Sequence, residues 1–100
     1  MARHTFRAEV WEHSPGDTGS WHFLTVPAEV SDEVRLEAGP RDGFGSVRVE
    51  VSIGATTWLT SLFPDSTAGT FLLPVKAGVR KAEDLGDAST CEVMLEVVDQ

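Results

Sequence analysis

Ser46-Val47-Arg48-Val49-Glu50-Val51-Ser52-Ile53-Gly54-Ala55-Thr56-Thr57-Trp58-Leu59-Thr60-Ser61-Leu62-Phe63 decides the fold. From Val47 to Ile53 every odd position is β-branched and apolar, and every even position is polar or charged. A period of two sends alternate side chains to opposite faces, so this is a strand with one face buried and one wet. Gly followed by any residue suits a type II′ turn at Gly54-Ala55, and Thr56 to Phe63 reads as a second strand closing a hairpin. That turn pairs Ile53 with Thr56, Val51 with Trp58, Val49 with Thr60 and Val47 with Leu62, all on the buried face. On the wet face it sets Glu50 across from Leu59 and Arg48 across from Ser61.

Outward from the hairpin the same alternation recurs. Cys91, Val93, Leu95 and Val97 point one way, with Glu92, Met94 and Glu96 opposite. Thr5 to Glu12 buries Phe6, Ala8 and Val10 and exposes Arg7 and Glu9. Trp21 to Val26 and a short segment from Gly69 to Leu73 complete six strands, the latter preceded by a Pro64-Asp65-Ser66 turn. Ser14 to Gly19 and Ala38 to Gly45 are dense in turn formers and read as loops. Two short helices are expected. Val75 to Ala82 stacks Val75, Val79 and Ala82 on one stripe, with Pro74 in the first turn, and Pro27 to Leu36 spaces Val30 and Val34 four apart. Both follow a strand ending in an apolar residue and proline, Val26-Pro27 and Leu73-Pro74, as a duplicated strand–Pro–helix unit would.

With 100 residues the chain has room for a single domain, its core running from about 5 to 99. Sixteen acidic against eight basic residues give a net charge of −8, which works against general attraction to nucleic-acid phosphates. No apolar run is long enough to span a bilayer, and no signal-like segment follows Met1, so no membrane partner is expected. The single cysteine, Cys91, has no intrachain partner and fits a reducing cytoplasm.

Catalytic and cofactor signatures are thin. His4, His13 and His22 fit neither strand period nor helical metal spacing, so they are expected on the surface or in loops, with no metal and no cofactor. Cys91 sits on the apolar face of a strand, as packing rather than as a nucleophile. Asp42-Gly43-Phe44-Gly45 lacks the strand, helix and third glycine of a dinucleotide fingerprint. No Gly-x-Ser-x-Gly elbow occurs. Trp58, Trp21 and Phe71 are the expected aromatic core, while Trp11 belongs either to an exposed dimer contact or to the barrel rim.

The scarce cations give the one candidate site. Lys76 and Arg80 stand four apart, on one side of a helix whose unpaired N–H groups and dipole also favour an anion near Lys76. Ser61 adds a hydroxyl if the strand end folds toward that helix. The competing reading pairs Arg80 with Asp84 one turn on, with Glu83 also near, and Arg48 with neighbouring acids, which carries no function.

Several phrases resemble a bacterial domain-of-unknown-function family, numbered nineteen-zero-five. They are Trp58-Leu59-Thr60-Ser61-Leu62-Phe63-Pro64-Asp65, Leu73-Pro74-Val75-Lys76-Ala77-Gly78-Val79-Arg80-Lys81-Ala82, Phe6-x-Ala8 with Trp11, Trp21-x-Phe23, Val26-Pro27-Ala28-Glu29-Val30-Ser31 and Gly45-Ser46-Val47-Arg48-Val49. The resemblance covers roughly residues 5 to 99 and implies a mainly β, six-stranded double-split β-barrel of AbrB and MazE type with pseudo-duplicated halves. Members stand alone or are fused to a bacteriocin-protection (YdeI/OmpD-associated) domain, and the resemblance brings no catalytic residues. It also implies basic residues where this chain has Leu59 and Ala77, and a Gly-Asp turn where it has Ala88-Ser89. The expected function is a non-enzymatic binding or accessory module in the cytoplasm, monomeric or weakly dimeric, whose partner is a protein or a small anionic ligand. An AbrB-like nucleic-acid-binding or antitoxin-like regulator is the alternative, and a small enzyme the second.

Overall fold

A computed structural model describes residues 3–13, 21–39, 45–65, 67–86 and 88–98. The elements are β1 (Arg3–His13), β2 (Trp21–Thr25), α1 (Ala28–Ala38), β3 (Val47–Ile53), β4 (Thr56–Asp65), β5 (Thr70–Pro74), α2 (Ala77–Ala82) and β6 (Thr90–Val97). The strands close a barrel in the order β1-β2-β5-β4-β3-β6, every neighbouring pair antiparallel. Closure leaves none of the described strands at an unpaired sheet edge. No helix of the described residues is long and apolar enough to cross a membrane.

The β3–β4 hairpin has the register expected of it, from Ile53 opposite Thr56 to Val47 opposite Leu62. Gly54 carries φ +59° while Ala55 does not turn positive, the pattern of a type II′ turn. Alternation fills the barrel: Val47, Val49, Val51, Ile53, Leu62, Cys91, Val93, Leu95 and Val97 are buried, joined by Phe6 and Val10 of β1. Burial pushes the Cys91 thiol pKa up, with the Arg7 charge pulling weakly the other way, so the thiol stays protonated and apolar.

The pairings have a two-fold pattern. Exchanging β1 with β4, β2 with β5 and β3 with β6 carries every strand pair onto another pair or onto itself. Leu24 and Leu73 face each other at the centre, and the pair Phe23–Pro74 exchanges with Leu72–Thr25. Val26 N donates to Phe71 O at 2.9 Å, and its counterpart Val75 N donates to His22 O at 2.8 Å. The halves are thus duplicated, with one correction. Pro74 is the counterpart of Thr25 and lies in β5, so Lys76, not Pro74, corresponds to Pro27 at the helix entrance.

Other expectations need correcting. Pro64 and Asp65 extend β4, opposite Phe71 and Thr70. The turn follows them, with Asp65 O accepting from Gly69 N at 2.8 Å and Asp65 Oδ1 from Thr67 N at 3.1 Å. Ser66, the Ser14–Gly19 loop, Asp42-Gly43-Phe44 and Asp87 lie outside the described residues. His4 is buried rather than on the surface: its Nδ1 lies 3.1 Å from Glu33 and its Nε2 3.2 Å from Glu37, latching β1 to α1. Trp21 is 58% exposed and leaves the core list. Leu24 faces inward opposite Val10, so the odd positions of β2 must face out. Trp11 is half-buried, its Nε1 donating to Thr25 at 3.0 Å and its ring 5.2 Å from Phe23.

Candidate functional site

The two halves end differently above the barrel. In the first, α1 runs for 11 residues and seals the sheet end. Ser31, fully buried, donates its Oγ to Val26 O at 3.1 Å and accepts from Phe71 N at 3.1 Å. Arg35 then lays its guanidinium 5.4 Å over the Phe71 ring and bonds Gly69 O at 2.8 Å. In the second half α2 stops after 6 residues. It ends in a Schellman motif, with Asp84 N bonding Lys81 O at 3.4 Å and Leu85 N bonding Arg80 O at 2.8 Å while Asp84 takes φ +55°. The chain therefore turns away where α1 continues, and the counterpart of the sealed surface stays open.

That opening is a cleft of about 420 Å³, a size that suits a small ligand. Trp21, Trp58, Leu59, Pro74, Val75 and Ala77 are among its lining residues. Lys76 and Arg80 stand with them, and His22 completes the lining. The positions matching the two indoles are covered in the first half: Thr70, counterpart of Trp21, is 9% exposed, and Phe6, counterpart of Trp58, is 8% exposed.

Two of the three expected site residues meet here. Arg80 is the counterpart of Ser31 and makes the equivalent bond, its Nε donating to Val75 O at 3.2 Å. This fixes the side chain and leaves the rest of the guanidinium fork without a partner among the described residues. Lys76 is exposed at the N-cap of α2 and pairs with no carboxylate among the described residues. The competing ion pairs do not form among the described residues. Asp84 lies beyond the helix end, so the four-residue spacing to Arg80 has no helical geometry. Glu83 turns instead to Thr56, accepting from its Oγ1 at 2.6 Å. Ser61 is the third residue, and it lies elsewhere. It faces outward on β4 and accepts from Arg48 at 3.4 Å, across the pair Arg48–Ser61. The dipole argument also weakens, because a helix of 6 residues has little macrodipole.

Sequence reasoning missed the two indoles and His22 as part of this site. Trp21 and Phe23 on one face compete with His22, Leu24 and Val26 on the other, so size ranked Trp21 as core. The histidine among the inward positions was the available signal: His22 Nδ1 is buried without a hydrogen-bond partner among the described residues. Leu59 and Ala77, where the resemblance implies basic residues, both line the cleft. In this chain they add apolar surface beside two cations.

No curated protein matches the chain. The family model of a domain of unknown function, DUF1905, matches residues 6–95, nearly the whole length, so the chain belongs to the DUF1905 family.

Proposed function

We propose that this protein is a non-enzymatic binding module that captures an anionic ligand in the cleft beside α2. The observation that carries the reading is the pair Lys76 and Arg80. Two cations line one cleft with no carboxylate paired to either among the described residues, in a chain of net charge −8. Arg80 is held by Val75 O, so its free N–H groups are presented with little rotamer entropy left to lose. The cleft lining offers charge and apolar contact, which bind and orient. A buried, unpaired Cys91 thiol fits a reducing bacterial cytoplasm as the setting.

The test is calorimetric titration with inorganic phosphate and sulfate, comparing the parent with Arg80→Ala and Lys76→Ala. Each charge-assisted hydrogen bond lost is expected to weaken binding about 10- to 100-fold. Ser61→Ala should leave it unchanged. Equal binding by parent and both cation variants would reject the site.

A further inference from the structure

We infer that the ligand of this cleft is a flat aromatic ring joined to a phosphate, the chemistry of a nucleoside monophosphate. The inference rests on the anion-binding reading above and adds the ring. Its ground is the divergence of the two halves. On the sealed side Phe71 is covered by the planar Arg35 guanidinium, and the space is filled by the chain's own α1. On the open side the counterpart of Arg35 is Asp84, beyond the end of α2 at Ala82, so among the described residues no guanidinium lies over His22, which lines the cleft. The same shallow space therefore remains for a flat group supplied from outside.

Two indoles line that space. Trp21, more than half exposed, and Trp58, half-buried, replace the covered Thr70 and Phe6 of the other half. The aromatic pair in contact among the described residues is Trp11–Phe23, so neither indole of the cleft is spent on stacking against another ring. Indoles in a concave site favour a π-face, and base-on-aromatic stacking is tolerant of which base is offered. Lys76 and Arg80 line the same cleft and set the charge of the ligand's other end. The volume, about 420 Å³, accommodates one ring, a linker and a phosphate.

Intrinsic tryptophan fluorescence and calorimetry with adenosine 5′-monophosphate, ribose 5-phosphate and adenosine separate the parts. The expected result is that the nucleotide binds at least about tenfold tighter than ribose 5-phosphate, which is about 1.4 kcal/mol. It should also bind at least tenfold tighter than adenosine. Trp21→Ala, a change at an exposed position, should reduce nucleotide binding about tenfold and leave ribose 5-phosphate unaffected. Equal binding of nucleotide and ribose 5-phosphate overturns this inference and leaves the anion-binding reading standing. Equal binding of nucleotide and adenosine, or no binding of either phosphate, overturns both. A short single-stranded oligonucleotide binding a hundredfold tighter than the mononucleotide overturns the small-ligand class in favour of a nucleic-acid partner.

Discussion

Gly54 and Ala88 both hold positive φ, 59° and 69°, yet only one of them is a glycine. A Cβ disfavours this region by about 1–2 kcal/mol, through its clash with the following carbonyl. At Gly54 a second penalty would apply, since an added Cβ would overlap Oε1 of Glu83, the carboxylate that bonds Thr56. Ala88 is held in place by Val10 of β1, its N donating to Val10 O at 2.7 Å while Ser89 O accepts from Val10 N at 2.8 Å. The two positions should therefore respond in opposite directions. Gly54→Ala is expected to lose about 2 kcal/mol, from strain and the displaced Glu83. Ala88→Gly is expected to gain about 0.5 kcal/mol, the relieved strain exceeding the added freedom of the unfolded chain. Urea midpoints at constant slope would measure both. A destabilised Ala88→Gly would mean that the turn does not hold Ala88 in the left-handed region. At this scale the sequence was legible where pattern is local: Gly54 declared its turn. Ser61 misled because its approach to α2 depended on where β4 ends, which lies with the β5 pairing at Pro64 and Asp65 rather than with any local preference.

At the scale of elements, α1 depends on a few fixings. Its entry is marked by Pro27 at the N-cap, with no side-chain cap, so Ser31 and the His4 latch hold it against the barrel. Ser31→Ala removes one hydroxyl and strands two buried groups, Val26 O and Phe71 N. The cost should be about 1–3 kcal/mol, which in a domain this small lowers the melting temperature by at least about 4 °C. Calorimetry would measure the shift, and hydrogen exchange should accelerate at the Phe71 amide. An unchanged amide would show that α1 does not rely on this bond. Both helices were legible in position, yet Pro74 misplaced the second. Proline suits a first helical turn and a strand end equally, and only the pairing of Phe23 with Pro74 decides between them. The length of α2, on which the cleft depends, turns on Asp84 entering the left-handed region, which aspartate tolerates without announcing it.

The whole molecule combines a closed barrel, a two-fold pairing pattern and a strongly acidic surface. Hairpin pairs such as β3–β4 follow from adjacent sequence, whereas β2–β5, β3–β6 and β1–β6 join distant segments. Local periodicity has no term for such closure, so the barrel was legible only through the family resemblance, and its strand order was not legible at all. Charge was legible from the start and bears on the regulator alternative. Of the eight basic residues, three, Lys76, Arg80 and Lys81, lie on or beside α2, while the net charge is −8. Three phosphate contacts would give a salt slope no steeper than about −2.7, too little to hold a duplex against the repulsion of the remaining surface. Titrated with duplex DNA at roughly 150 mM salt, the protein should bind no tighter than the ~10⁻⁴–10⁻⁶ M of non-specific contact. Fluorescence anisotropy with duplexes of several sequences would measure it, with the salt slope taken in parallel. A nanomolar complex that discriminates between sequences would mean that the α2 face overrides the acidic balance, and the DNA-binding reading would then replace the ligand-binding one. A weak, sequence-blind complex with a slope near −1 would agree with the proposed cleft, in which α2 meets one phosphate at a time.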